Sequence, residues 1–226
     1  MRLTSARPEV RGPLSDEVIG LCAAQGLTAT AGQATRLVHY LELLQRWNAT
    51  YNLTAVRDPK AMATQHLADC LAVLPALMVR CLNPQGRVLD VGSGAGLPGV
   101  VLAIMLPDWD VTCVDTVGKK AAFVRQAASQ LNLPNLHPAH ARVQDLRLPA
   151  FELITSRAFA SLADFTAWTT AHLAPGGLWM AMKGKVPQEE MTALPPDIEV
   201  FHVEPLTVPG LDAERCLVWM RPRSPS

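Results

Sequence analysis

Two hydrophobic rhythms divide this chain, and the change between them falls near residue 85. Through residues 14–84 apolar positions recur at three- and four-residue steps, most clearly at Ala34, Leu37, Val38, Leu41, Leu44 and Trp47. That spacing predicts helices carrying one buried stripe. The pattern breaks at Asn48–Asn52, and a further helix is expected from Lys60 to about Val79. From Arg87 onward short apolar runs appear instead, at 87–91, 111–115, 136–141, 152–156, 178–182, 198–203 and 216–220. Helical windows at 98–105, 119–131 and 163–173 separate most of them, which is the alternation of a parallel sheet with right-handed crossovers. The last two runs are joined by too little regular structure for a crossover helix, so they should pair antiparallel. The expected layout is a helical cap over 14–84 on a seven-stranded α/β sheet over 85–222, with residues 1–13 disordered.

The first junction of strand and helix carries the chemistry. Val88 to Gly99 read Val-Leu-Asp-Val-Gly-Ser-Gly-Ala-Gly-Leu-Pro-Gly, and Asp115 closes the next apolar run. Gly92, Gly94 and Gly96 allow a turn at positive φ that lies flat against a ligand. Pro98 suits a first helical turn. An acid at the tip of the second strand, about 20 residues on, is placed to hold ribose hydroxyls. The segment predicts a pocket for a nucleoside-bearing cofactor in a Rossmann-like sheet. Gly94-Ala-Gly-Leu-Pro-Gly99 fits the dinucleotide fingerprint, but Asp90-x-Gly92-x-Gly94-x-Gly96 fits the acid-plus-glycine pattern of S-adenosylmethionine-dependent methyltransferases. Asp90 favours the second, because a carboxylate repels a pyrophosphate and attracts the α-ammonium of S-adenosylmethionine. A bare glycine turn built for packing alone ranks behind both.

Composition narrows the setting. The 226 residues are 49% hydrophobic and 18% charged, and twenty basic residues balance twenty acidic ones, so RNA contact requires a local basic face. Five dispersed cysteines (22, 70, 81, 113 and 216) form no C-x-x-C pair and read as free thiols packed in a reducing compartment, with no metal site. The N-terminus lacks the apolar stretch of a signal peptide, and the most apolar windows, 71–79 and 100–106, are too short to span a bilayer. A cytoplasmic protein, with no membrane partner and acting as a monomer, is expected.

Other strand ends offer further candidates. Val143-Gln144-Asp145 follows the third strand, where an adenine edge would lie; an ordinary polar loop is the even alternative. The fourth strand ends in Ser156-Arg157-Ala-Phe159, with neither the Asn/Asp-Pro-Pro-aromatic segment of exocyclic-amine methylation nor a nucleophilic cysteine. Arg157 and Lys183 are placed as catalytic, substrate-orienting cations, against the plainer reading of Lys183 as a solvated rim charge. In the cap, Asn52, Thr54 and Arg57 are candidates for RNA contact, whereas Trp47 lies on the apolar stripe and is expected in the core. His66 and Asp69 stand three apart on one helix face and read as a structural hydrogen bond, since nothing completes a hydrolase triad.

These residues together resemble a known family, the bacterial 16S ribosomal RNA guanine-N7 methyltransferases, also called glucose-inhibited division protein B. The resemblance runs from about Leu37 to Met220. It rests on Trp47-Asn-x-x-Tyr51-Asn52-Leu-Thr54-Ala, His66-x-x-Asp69, Asp90-Val-Gly-Ser-Gly-Ala-Gly-Leu97-Pro-Gly99, Asp115-x-x-x-Lys119-Lys120, Arg157-Ala-Phe-Ala-Ser161-Leu and Met182-Lys183-Gly184. It implies a class I methyltransferase fold and methyl transfer from S-adenosyl-L-methionine to N7 of a guanosine in the decoding-region loop of 16S RNA, met within a small-subunit particle. Asp90, Gly92, Gly94, Gly96, Leu97, Asp115, Val143, Gln144 and Arg157 are then expected around the cofactor, and Lys119 and Lys120 join the RNA-contact set. Gln144, Thr116 and Cys70 depart from the family's usual glutamate, serine and serine; the first questions any carboxylate-specific role there. Guanine N7 has a free lone pair and no proton to lose, so the reaction needs no general base. Competing readings are methylation of a small molecule or protein, a ribosome-associated protein that holds S-adenosylmethionine without turnover, and, last, a dehydrogenase.

Overall fold

The computed structural model describes residues 13–81, 85–157, 159 and 161–223. Seven strands form one sheet: β1 (Arg87–Val91), β2 (Asp110–Asp115), β3 (Leu136–His140), β4 (Phe151–Ser156), β5 (Leu173–Lys183), β6 (Ile198–Pro205) and β7 (Cys216–Pro222). Their order is β3-β2-β1-β4-β5-β7-β6, parallel except for β7, which runs antiparallel to both β5 and β6. The order reverses between β1 and β4, so a ligand crevice is expected beyond the carboxyl ends of those strands. Strand positions alternate between two cores. Val88, Cys113, Leu153 and Met180 pack against the cap and the helices α6 (Gly99–Met105) and α7 (Gly118–Gln130). Leu89, Val91, Ile154 and Trp179 pack on the opposite face with α8 (Leu162–Thr169) and, at its edge, α9 (Gln188–Thr192).

The cap starts with α1 (Pro13–Ala23), so Pro13 opens a helix; residues 1–12 lie outside the described residues. Next comes α2 (Ala31–Tyr51), started by a reciprocal box in which the Thr30 hydroxyl accepts from the Gln33 N–H and the Gln33 side chain accepts from the Thr30 N–H. The Gln33 amide also donates to the last carbonyls of α6, at Ile104 and Met105. The predicted stripe Ala34, Leu37, Val38, Leu41 and Leu44 is buried, and Trp47 is half-buried against Phe123. The expected break over Asn48–Asn52 falls at the last of these residues. Asn48 stays inside the helix, and its amide group serves the chain beyond, accepting from Thr54 N and donating to Val56 O. The stop comes at Asn52, which takes the left-handed conformation at φ 49°.

Residues 59–80 form a helical run with a defect: α3 (Pro59–Met62), a π-turn (Ala63–Ala68), α4 (Asp69–Leu71) and α5 (Leu74–Arg80). The extra residue of a π-turn shifts the faces on either side, a distortion found often at functional sites. By length and composition this run could cross a membrane, but 67% of its apolar window is buried inside the protein. Two further expectations shift. The helix expected over 163–173 ends at Thr169 and tightens into a 3₁₀ turn (Thr170–His172), and β5 begins at Leu173, with a register irregularity against β4.

Candidate active site

The glycine loop is held from below and from the side. Gly92, Gly94 and Gly96 have φ of 66°, 58° and 80°. The three have different jobs. A side chain at Gly92 would approach Phe159 at 4.0 Å across open space, whereas at Gly96 it would collide with Val100 and crowd Val124. Gly96 therefore serves packing, and Gly94 donates its N–H to Asp115 Oδ2 at 2.9 Å. The buried Tyr40 hydroxyl donates to Ala95 O at 2.7 Å, fixing the loop to the cap.

Asp90 lies beneath this loop, fully buried. Its Oδ2 accepts from Gly99 N at 2.8 Å, and its Oδ1 has no partner. Burial pushes its carboxyl up to about 7, against the opposing pull of the Gly99 N–H and the Arg157 charge. Asp90 is not among the residues lining the cavity above, and Leu97 is 2% exposed within the core.

That cavity, of about 640 Å³, is lined by Val91, Gly92, Asp115, Thr116, Lys120, Val143, Gln144, Phe159 and Trp168, among others. Asp115 accepts from Gly94 N and from Val117 N at 2.8 Å, and Lys120 Nζ stands 3.7 Å from its Oδ2. Lys120 thus turns toward the cavity, away from the outward position an RNA phosphate contact requires. Of the expected cofactor residues, the cavity gathers Gly92, Asp115, Val143 and Gln144. Phe159 and Trp168 were not anticipated; their only sequence signal was aromatic spacing with Phe165 along and before α8. An adenosine group fits this lining: an apolar cradle with a carboxylate, Asp115, at the tip of β2.

A second cavity, of about 370 Å³, stands beside the first where the cap meets β4 and β5. Gln65, His66, Asp69, Arg157, Met182, Lys183, Gly184 and Arg215 line it. Arg157, expected at the cofactor, lines this cavity instead. Its Nη1 donates to Gln65 O at 3.3 Å and to His66 Nδ1 at 3.4 Å, and lies 3.6 Å from Asp69 Oδ2. Because a guanidinium only donates, His66 Nδ1 accepts, and Nε2–H donates to Thr54 Oγ1 at 2.7 Å. Burial and the neighbouring Arg157 charge lower His66 to about 4, so it is neutral with both nitrogens used. The expected direct His66–Asp69 bond is replaced by this arginine bridge. Asp69 also receives Arg215 Nε at 2.8 Å, a partner not anticipated from sequence. Lys183 Nζ is held by both carboxylate oxygens of Glu190, at 3.0 and 2.8 Å.

The RNA-contact candidates separate. The Thr54 hydroxyl is taken by His66 and Val56 N. Asn52 and Arg57 are exposed and bonded to each other at 3.0 Å, and Lys119 Nζ donates to Tyr51 O at 2.8 Å beside them. Among the described residues no group of three or more His, Cys, Asp or Glu is placed to hold a metal ion.

Known proteins resemble this chain in fold and in sequence. Solved structures similar in fold include TrmN from Thermus thermophilus (TM-score 0.57, 22% identity, 68% of this chain and 49% of that one). Another is the N-methyltransferase NodS from Bradyrhizobium japonicum in complex with S-adenosyl-L-homocysteine (TM-score 0.56, 13% identity, 80% and 100%). At these identities the likeness concerns the fold. Ribosomal RNA small subunit methyltransferase G of Acidovorax sp. (strain JS42) is 58% identical over 207 residues, 88% of this chain and 91% of the relative. The protein of the same name from Leptothrix cholodnii is 57% identical over 212 residues, covering 94% and 97%. Residues 33–218, from the first turn of α2 into β7, match the family described as GidB, rRNA small subunit methyltransferase G. The family match takes in nearly all of α2, the glycine loop and the residues of both cavities, and the chain belongs to the rRNA small subunit methyltransferase G (GidB) family.

Proposed function

We propose that this protein transfers a methyl group from S-adenosylmethionine to N7 of a guanosine in 16S ribosomal RNA, in the decoding-region loop of the small subunit. The observation that carries the reading is the pairing of the two cavities: an apolar one ending in Asp115, and beside it a cationic one that, among the described residues, holds no free base. When bound, S-adenosylmethionine supplies an electrophilic methyl group on a sulfonium. Asp115, Gly92 and the Val143–Gln144 turn would hold its adenosine part.

The acceptor cavity suits a nucleophile that already has its lone pair. His66, the one imidazole there, has both ring nitrogens engaged and takes no proton from a substrate. Arg157 is fixed by Asp69, Gln65 and His66, and a guanidinium so fixed can donate to guanine O6, leaving N7 toward the methyl group. Such alignment supplies on the order of 7–11 kcal/mol in well-oriented reactions. Lys183, held by Glu190, presents a donor of fixed direction on the same side.

The test is mass mapping of nucleosides in small-subunit particles and in naked 16S RNA after incubation with the protein and labelled S-adenosylmethionine. 7-Methylguanosine at one position is expected, and Arg157→Ala should lose at least a hundredfold in single-turnover rate while binding S-adenosylhomocysteine. Label in another nucleoside, or in ribosomal protein, would refute the assignment.

A further inference from the structure

Trp168 lines the larger cavity and, among the described residues, makes no hydrogen bond to the rest of the site. It stands on α8 with 43% of its surface exposed, an unusual state for an indole on a helix whose other aromatic ring, Phe165, is fully covered. Its position is fixed. Phe165 is fully buried in the core, Phe159 packs on Phe165 at 5.6 Å, and Trp168 meets Phe159 edge-on at 5.3 Å and 77°. This aromatic series runs from the core to the wall of the larger cavity, which both Phe159 and Trp168 line.

The end of the cavity it reaches can also be identified. Gln144 and Trp168 line the larger cavity together, and together line an adjoining one with Leu146, Arg147 and His172. The buried His172 Nε2 lies 2.7 Å from Val143 O, tying the end of α8 to the 143–145 turn. Trp168 therefore stands over the β3 side of the crevice. The ribose carboxylate, Asp115, is on neighbouring β2, and the glycine loop follows β1, so a nucleoside laid along the strand ends has its base on the β3 side.

We infer that Trp168 is a cofactor-binding residue, its indole providing the aromatic contact for the adenine ring of S-adenosylmethionine. This rests on the cofactor reading of the larger cavity and is independent of the RNA substrate. Base–aromatic contacts of this kind change affinity about ten- to a hundredfold on truncation to alanine.

The experiment pairs calorimetry with intrinsic fluorescence, using S-adenosylhomocysteine, adenosine and methionine as probes. Trp109, Trp179 and Trp219 are buried and Trp47 is half-buried in the cap core, so quenching on ligand addition should come from Trp168. Wild type should lose emission with S-adenosylhomocysteine and adenosine. Trp168→Phe should bind both within about threefold of wild type but show no quenching, and Trp168→Ala should weaken both about tenfold or more while leaving methionine unaffected. Trp47→Phe should keep the quench. Unchanged affinity in Trp168→Ala, or quenching that survives in Trp168→Phe, would overturn the assignment while leaving the cofactor site intact. Wild type that binds neither S-adenosylhomocysteine nor adenosine would overturn the cofactor reading itself.

Discussion

Asp90 and His66 should titrate against each other during unfolding. Asp90 is raised from an ordinary 3.8 to about 7, first because it is buried with Oδ1 unpartnered. His66 is lowered from 6.5 to about 4, first by burial and then by Arg157. Between pH 4 and 7 the folded chain holds a proton on Asp90 that the unfolded chain has lost, so this group's contribution falls as pH rises through that window. Between pH 4 and 6.5 the unfolded chain holds a proton on His66 that the folded chain lacks, so that contribution rises. Each slope is about 1.4 kcal/mol per pH unit, and the signs are opposite.

The pair should therefore leave almost no pH dependence from pH 4.5 to 6.0, and single substitutions should reveal it. In Asp90→Asn the amide oxygen still accepts from Gly99 N–H and no group titrates, so unfolding free energy should rise, relative to wild type, by roughly 2 kcal/mol over that interval. In His66→Gln it should fall by roughly the same amount. The double variant should return to the wild-type slope, and groups common to all four proteins cancel. Urea unfolding at the two pH values measures this directly. Parallel pH profiles for wild type and Asp90→Asn would refute the argument, because a carboxyl that ionises normally in the folded chain cannot be buried and half unpartnered.

Three further expectations concern the loop and the surface. Gly94→Val places a β-branched residue at φ 58°, which costs about 1–2 kcal/mol, and should abolish S-adenosylhomocysteine binding by calorimetry while circular dichroism shows a folded protein; retained binding would mean the loop tolerates a side chain facing the ligand. Tyr40→Phe leaves the Ala95 carbonyl buried without its donor, so thermal or urea unfolding should show a loss of about 1–3 kcal/mol, with weaker cofactor binding in the same variant. Arg57→Ala with Lys119→Ala should flatten the slope of log affinity for RNA against log salt by about 1.4–1.8, whereas Lys120→Ala should leave that slope alone and change cofactor affinity instead.

The strands were readable because parallel strands buried on both faces appear as short continuous apolar runs, and the glycine loop because positive φ restricts composition. The misread positions share a cause. Sequence gives a residue's periodicity, and the partner that fixes its side chain comes from elsewhere in the chain. Asp90 lies between Leu89 and Val91, so alternation already sends it to the opposite face from them. That the first N–H of α6 would descend onto it depends on packing. Lys119 and Lys120 are adjacent on a helix and so point about 100° apart, and the partners that separate them, Tyr51 O on α2 for Lys119 and Asp115 for Lys120, come from elsewhere in the chain. The apolar pattern stops at Asn48 three residues before the helix does, because the Asn48 amide is committed to the chain beyond, at Thr54 and Val56. Arg215 reached Asp69 across 146 residues, which no local pattern encodes.

The charges around the acceptor cavity suggest how binding strength and target choice are divided. Arg157 and Arg215 share Asp69, and Lys183 is held by both oxygens of Glu190. A phosphate entering there must compete with carboxylates already in place, so these cations add little net attraction; their value lies in fixed donor directions. Arg57 and Lys119 differ. Among the described residues neither pairs with a carboxylate, and their partners are the Asn52 amide oxygen and the Tyr51 carbonyl. Neutral partners leave the positive charge uncompensated and available to displace counterions from RNA. Salt-dependent affinity is therefore expected from Arg57, in the loop after α2, and Lys119, at the start of α7, and discrimination among bases from the cavity lined by Arg157. A chain with no net charge can hold a polyanion on this basis, because the balance is struck locally at each site.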